Sequence, residues 1–384
     1  MRPAAEHAAL EAAVNLLRRA ERPVCLAGRG GVWGDASQSL LRLCEALPRL
    51  VVASTPGAKG VFPENHQRYR GVFGFAGHAA AKKAVAEADA LLVVGSRLLE
   101  QSSGGFHPRL RQPGVIRLDR DPRHSAQRSG EISLTGDARL LLERVAARLG
   151  AARATAAVPP PPSVPAIPSY AGPFALDRHV KPQALLGAIS RLAANVPVTA
   201  DAGNSMCWAI EWLERLRPRD FQVSLDWGSM GFALPAAIGI SLARGGAPAI
   251  AITGDGSMAM SGGDLHTAVE LEIPVIVVVL NDGGAGMVRA GCEAWFGADA
   301  VPNVDYRYKL NLFQYGRALG AHAVIATDLE AFEQALRGAL ARATPTLIDV
   351  HIDPKEVPSA IAERVHGLAS PESVPARREG GGMC

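Results

Sequence analysis

Two aspartates stand where a chain can do chemistry. Asp255 and Asp282 each follow directly on a β-rich apolar run, residues 249–253 and 275–280, and each sits among glycines, in Gly254-Asp255-Gly256 and Asn281-Asp282-Gly283-Gly284. Strands of parallel sheets present functional loops at their carboxyl ends. A helix expected over 262–272 makes a single crossover between the two runs, so the strands are expected to be neighbours. Two carboxylates at neighbouring strand ends suit a hard divalent cation, and Mg2+ takes one or two carboxylates while filling its other positions with water and phosphate oxygens. Gly256-Ser257 opens toward a helix N-terminus, whose free N–H groups bind phosphate. Either glycine-flanked aspartate alone reads more readily as a tight turn. Together at strand ends, with the 24 residues 257–280 between the two motifs, they read as a Mg2+–diphosphate site.

The elements that must position these residues follow from the apolar pattern. Apolar runs at Pro23–Ala27, 50–53, Ala90–Val94 and 115–118 alternate with helices at 35–47, 79–88 and 137–149. A second segment repeats the style. Its helices are expected at 181–194, 232–244 and 262–272, and its strands at 197–200, 249–253, 275–280 and 346–352. The helix over 232–244 is small and apolar throughout, which predicts burial. Strands alternating with helices mean parallel strands joined by crossovers, so the fold class is α/β with two doubly wound parallel-sheet domains. Between them, residues 155–173 carry seven prolines, which neither pair in a sheet nor continue a helix, and this predicts an extended linker. The expected organisation is a first domain over 1–150, a Pro-rich linker over 151–174, a second domain over 175–368 and a flexible tail over 369–384.

Composition removes several function classes. Lys+Arg 40 against Asp+Glu 37 leaves a charge of +3 spread along the chain, so there is no basic stripe for nucleic acid. No apolar run approaches the roughly 20 residues of a membrane span, and the N-terminus lacks the apolar core of a signal peptide. The five cysteines are scattered and odd in number, which speaks against a disulfide framework or a zinc site. A cytoplasmic protein is the expectation.

At this level of detail the chain resembles a known family. Gly254-Asp255-Gly256, 24 residues, then Asn281-Asp282 is similar to the thiamine-diphosphate-binding motif of the ThDP-dependent enzymes. The segment from Ser229-Met230-Gly231 to Gly239 and the segment Gly283-Gly284-Ala285-Gly286-Met287-Val288 resemble the flanks of that motif in acetolactate synthases. In the first half, Thr55 to Glu64, Val94-Gly95-Ser96-Arg97 and Arg117 to Pro122 resemble that family's central, Rossmann-like domain. The likeness covers roughly residues 8–360.

The resemblance implies roles. Asp255, Asp282 and the backbone carbonyl of Gly284 would ligate Mg2+, with Asp282 standing where the family has Asn and adding a negative charge. Gly203, Asn204, Ser205, Gly254, Gly256, Ser257, Asn281, Gly286 and Met287 match cofactor-binding positions, most of them at the diphosphate. Gly228 and Met230 match the positions that hold the aminopyrimidine, with Met230 as the apolar wedge that bends the cofactor so that its reacting atoms meet. Full-length members also have an N-terminal pyrimidine-binding domain, which supplies a glutamate that activates the cofactor. This chain starts where the central domain would start, and Glu6, Glu11 and Glu21 read as surface charges. The expectation is therefore the larger subunit of a split enzyme. Its partner would be a pyrimidine-domain chain of about 170–200 residues, in a heterotetramer or larger assembly.

Substrate choice is less legible. Acetohydroxyacid synthases usually carry Gln-Trp after the Gly-Met-Val segment, whereas Arg289-Ala290-Gly291-Cys292 stands here, with Gly291 in place of the Trp. A 2-oxo acid decarboxylase or acyloin-forming carboligase with a wider pocket is expected, with Glu293, Trp295 and Phe296 either lining that pocket or packing on a surface helix. The first domain resembles one that binds FAD in acetolactate synthases. Gly28-Arg29-Gly30-Gly31 lacks the GxGxxG spacing, however, so FAD is not the favoured expectation. His78 and His107 read as packing residues. A non-catalytic ThDP-binding remnant and a nucleotide-binding scaffold are the alternatives.

Overall fold

The computed structural model describes residues 3–125, 130–150, 179–297 and 304–369. The expected linker over 151–174 and the tail beyond 369 lie outside the described residues. The described chain builds two sheets of six strands, every pairing within them parallel.

The first sheet contains β1 (Pro23–Ala27), β2 (Val51–Ser54), β3 (Tyr69–Val72), β4 (Ala90–Val94), β5 (Val115–Asp119) and β6 (Ile132–Thr135), in the order β3-β2-β1-β4-β5-β6. The chain runs outward from β1 to β3 and then returns to β4 on the other side of β1. That reversal leaves a crevice at the carboxyl ends of β1 and β4. Period-two alternation fills both faces. Val24 and Leu26 of β1 join Leu91 and Val93 of β4 in one core, while Cys25, Ala27, Leu92 and Val94 join the helices on the opposite face. Glu6 and Glu11, on the helix Pro3–Arg19, pair with Arg144 and Arg148 of the helix Ala138–Gly150. They hold two helices together, far from any cofactor role.

The second sheet contains β7 (Val198–Ala200), β8 (Phe221–Val223), β9 (Ala249–Gly254), β10 (Val275–Asn281), β11 (His322–Ala326) and β12 (Thr346–His351), in the order β11-β12-β10-β9-β7-β8. β9 and β10 are direct neighbours, with Val275 opposite Ala249 and Leu280 opposite Gly254. The crossover between them begins with the helix Asp255–Ser261 and continues in Asp264–Glu270, two short helices where one is expected. One expectation needs correction. The apolar helix Ala233–Ala243 buries Ala233, Leu234, Ala237, Ile238 and Ser241 but leaves Leu242 55% exposed. A helix packs on a sheet through one face only, so apolar composition on the other face does not bury it.

The two sheets dock through a buried polar seam. Lys59 and Glu64 form an ion pair 2.9 Å long with both side chains buried, and Tyr69 donates to the second carboxylate oxygen at 3.0 Å. Glu64 then reaches across the domains to accept the backbone N–H of Arg215 at 2.9 Å. His78 makes a second stitch. Its Nδ1 accepts from the backbone N–H of Val72 at 2.8 Å, and its Nε2 lies 2.9 Å from the backbone oxygen of Glu211. Only the neutral ring with its proton on Nε2 satisfies both contacts. Burial, reinforced by the Lys59 charge, holds the His78 pKa below its ordinary value, while the Glu211 carbonyl and Glu64 oppose this and Lys82 adds to it. Neither His78 nor His107, whose Nδ1 caps Arg109, faces a reaction site.

A group whose folded pKa is depressed contributes stability above its unfolded pKa and loses it as pH falls through the folded one. The stability contributed by His78 is therefore expected to decline as pH drops from 7 toward 5, against the opposite contribution of buried acids such as Glu211, whose pKa burial raises. His78→Gln is expected to be less stable than wild type at pH 7 by about 1–2 kcal/mol, with that difference shrinking toward pH 5. Denaturant midpoints at each pH check this, and an unchanged pH slope would contradict the assignment.

Candidate active site

The register of β9 against β10 decides the geometry of the site. Because Leu280 pairs with Gly254, the residues that follow emerge at the same level: Asp255 as the first residue of its helix, and Asp282 one residue past β10. Both carboxylates are largely buried. Burial, followed by the repulsion of Asp282, raises the Asp255 pKa to about 6, and the facing N–H groups of Gly256, Gly283 and Gly284 counter this only in part. Asp255 Oδ1 accepts the Gly256 N–H at 2.8 Å, and its Oδ2 is buried with no hydrogen-bond partner among the described residues. Burial also raises Asp282, against the opposing pull of the Arg289 guanidinium. Two buried acids held this close cost free energy unless a cation joins them.

A cleft of about 350 Å³ opens over these carboxylates. It is lined by Gly203, Asn204 and Ser205 after β7; by Gly228 and Met230; by Gly254, Gly256 and Ser257 beside Asp255; and by Gly284, Gly286 and Met287 beyond Asp282. The glycines keep it open. A Cβ on Gly286 would stand 2.2 Å from Asp282 Oδ2 and 3.0 Å from Asn204 Nδ2, and one on Gly256 would stand 2.6 Å from the Tyr306 hydroxyl. Asn204 Oδ1 is a second buried oxygen without a hydrogen-bond partner among the described residues. Met230 is 46% exposed, and its Cε lies 3.4 Å from where a Gly256 Cβ would be, so its thioether borders the cleft beside the carboxylate loop.

Asn281 behaves differently from the other expected residues. It does not line the cleft. Its Nδ2 donates to Asp349 of β12 at 2.9 Å, and its Oδ1 accepts from the Gly283 N–H at 3.1 Å. Asn281 therefore shapes the turn that aims Asp282. Trp295 and Phe296, at the end of the helix Gly286–Phe296, are 57% and 70% exposed, and neither they nor Glu293 line the cleft.

Several contributors carry no clear mark in the sequence. Asp201, at the end of β7, accepts from the N–H groups of Phe232 and Ala233 at 2.6 and 2.9 Å and from Thr253 Oγ1 at 2.6 Å, which fixes the chain just after Met230. Its place after a strand is a usable signal. Tyr306 and Asp305 come from a segment that straps over the carboxylate loop, with the Ala285 N–H bonded to the Val304 oxygen and the Tyr306 N–H to the Gly283 oxygen. Phe75 and Gln101 reach the cleft from the first domain, so the site lies at the domain junction. Asp226, on the loop before Gly228, is gripped by Arg29 and Arg97 of the first domain, each at 2.9 Å.

The donor set suits a diphosphate and a hard cation. Among the described residues no group of three His, Cys, Asp or Glu side chains is placed to hold a metal. A cation between Asp255 and Asp282 would therefore need further oxygen ligands from backbone, water or a bound anion, which is the coordination habit of Mg2+. The unpartnered Asp255 Oδ2 and the glycine-cleared space above it fit that group.

Comparison with known proteins agrees with this geometry. Residues 10–145 match the thiamine pyrophosphate enzyme central domain, and residues 201–350 match the thiamine pyrophosphate enzyme C-terminal TPP binding domain. A probable acetolactate synthase large subunit of Methanocaldococcus jannaschii is 30% identical over 357 residues, covering 90% of this chain and 60% of the relative. The acetolactate synthase large subunit of Parasynechococcus marenigrum is 32% identical over 357 residues, covering 90% of this chain and 56% of the relative. The chain thus spans less than two thirds of the length of these relatives. Among solved structures, benzoylformate decarboxylase from Polynucleobacter necessarius shares the fold with a TM-score of 0.74 over 92% of this chain and 65% of that one, at 21% identity. The parallel sheets, the paired carboxylates at adjacent strand ends and both domain matches lead to one conclusion: the chain belongs to the thiamine pyrophosphate enzyme family.

Proposed function

We propose that this chain is a subunit of a ThDP-dependent 2-oxo acid decarboxylase or carboligase. In this reading it binds the diphosphate half of the cofactor through Mg2+, and a pyrimidine-binding domain on a separate polypeptide covers the other half. The observation that carries the reading is the convergence of Asp255 and Asp282 at the heads of two paired strands, with the Asp255 Oδ2 buried and unpartnered. When bound, thiamine diphosphate supplies the carbon nucleophile that these reactions need. The chain's own residues do the rest. Asp255, Asp282 and the carbonyl of Gly284 hold the cation. Asn204, Ser205, Ser257 and the backbone around Gly286 and Met287 receive the diphosphate. Gly228 and Met230 orient the aminopyrimidine. The relatives named acetolactate synthase support this chemistry, while the benzoylformate decarboxylase structure supports the fold alone; Gly291 stands where the resemblance puts a Trp, with open space where a side chain would begin.

The partner is supported by the surface around the cleft. The cleft is lined by no glutamate among the described residues. Trp227 is 91% exposed and Met260 68%, both on elements that frame the cleft, and exposed apolar side chains there support its being covered by another domain. No described helix is long and apolar enough to cross a membrane. We place the enzyme in the cytoplasm, where the free thiols of Cys25, Cys44 and Cys207 stay reduced.

Three measurements test this. Calorimetric titration is expected to show thiamine diphosphate binding that depends on Mg2+ and is lost in Asp255→Asn, whereas metal-independent binding would refute the site. Gly286→Ala is expected to weaken cofactor binding at least about tenfold, because its methyl group enters the space of Asp282 and Asn204, with little change in the thermal midpoint. Purified alone, the chain is expected to turn over 2-oxo acids negligibly and to gain activity with a pyrimidine-domain partner. Full turnover without a partner would rule out the split arrangement.

A further inference from the structure

Asp282 poses a charge problem. With Asp255 it places two buried carboxylates where a diphosphate, itself an anion, must also settle. One charged side chain answers it from behind the loop. Arg289, one turn into the helix Gly286–Phe296, is 8% exposed. Its Nη1 lies 3.4 Å from Asp282 Oδ2 and 2.9 Å from the backbone oxygen of Pro354. Its Nε donates to Asp305 Oδ1 at 2.8 Å, and a second guanidinium nitrogen contacts the same oxygen. A Cβ on Gly284 would fall against Arg289 Nη2, so the guanidinium packs directly behind the backbone of the carboxylate loop. Three other charges lie nearby. Asp305 has a 64% exposed side chain, the Lys309 ammonium rests over Gly283 on an exposed segment, and the exposed Arg364 lines the cleft. Water screens all three, whereas Arg289 is enclosed and acts through a lower dielectric.

We propose that Arg289 is a positioning residue for the cofactor: the built-in counter-charge that lets an acid stand at 282 beside Asp255 while an anionic diphosphate binds above them. The inference rests on the Mg2+–diphosphate reading. Asp305 and the Pro354 carbonyl hold the guanidinium in place. From there it steadies the Asp282 carboxylate through Oδ2, and Arg289 itself does not line the cleft. Its charge opposes a bare cation but favours the diphosphate, so removing it shifts the two ligands in opposite directions. Loss of a merely structural arginine would weaken both.

The test uses the whole chain, with Mn2+ as the probe by electron paramagnetic resonance and thiamine diphosphate titrated at saturating Mn2+. Arg289→Gln keeps an amide for Asp305 and removes the charge. It is expected to tighten Mn2+ binding in the absence of cofactor and to weaken thiamine diphosphate, each by about tenfold. Asp282→Asn alone is expected to weaken Mn2+, and the double variant to return within about threefold of wild type. Arg289→Lys keeps the charge and is expected to stay near wild type, which covers the case in which the Gln variant folds poorly. Weakening of both ligands in Arg289→Gln, or a double variant worse than either single change, would overturn the proposal. Wild-type chain that binds no Mn2+, or Asp255→Ala that binds it equally well, would instead overturn the underlying reading of the site.

Discussion

The structure of the site depends on one register. β9 and β10 run parallel with Leu280 opposite Gly254, so two aspartates separated by a helical crossover arrive side by side. A shift of one residue would turn one carboxylate to the other face of the sheet. The register is held by burial on both faces. Ile250, Ile252, Ile276 and Val278 point into one core, and Ala249, Ala251, Val275 and Val277 into the other. The apolar drive that pairs the strands thus also covers the cost of keeping two acids and an unpartnered oxygen out of water.

The second constraint is the junction of the domains. Phe75 and Gln101 enter the cleft from the first domain, and Arg29 and Arg97 grip Asp226 on the loop that carries Gly228. The buried Lys59–Glu64 pair and the His78 stitch fix the docking on which those contacts rely. The cofactor cleft is in this sense a product of both sheets, although the expected cation ligands lie entirely in the second.

The sequence was legible where burial was symmetric. All eight inner strands were read from apolar runs, although Arg117 interrupts the run of β5 and Asp349 that of β12. β3, β6, β8 and β11, the four edges of the two sheets, were not read as strands. Tyr69-Arg70-Gly71-Val72 and Phe221-Gln222-Val223 show why: an edge strand is paired on one side only and tolerates polar residues and glycine, which interrupts the pattern. The site divides in the same way. Asp255, Asp282 and their glycines follow strands and form a spaced motif, so they could be read. Asn281 was placed in the right turn, yet it points at Asp349 and shapes the turn without lining the cleft. Asp305, Tyr306 and the charge role of Arg289 arise from tertiary packing of a strap over the loop, and no spacing in the chain announces that contact.

The most direct test is to locate the ion. Crystals grown with Mn2+ and thiamine diphosphate should show a single anomalous peak between the carboxylates of Asp255 and Asp282, shared with the diphosphate oxygens. An ion bound elsewhere, or a diphosphate seated in the cleft with no metal between these two aspartates, would contradict the account.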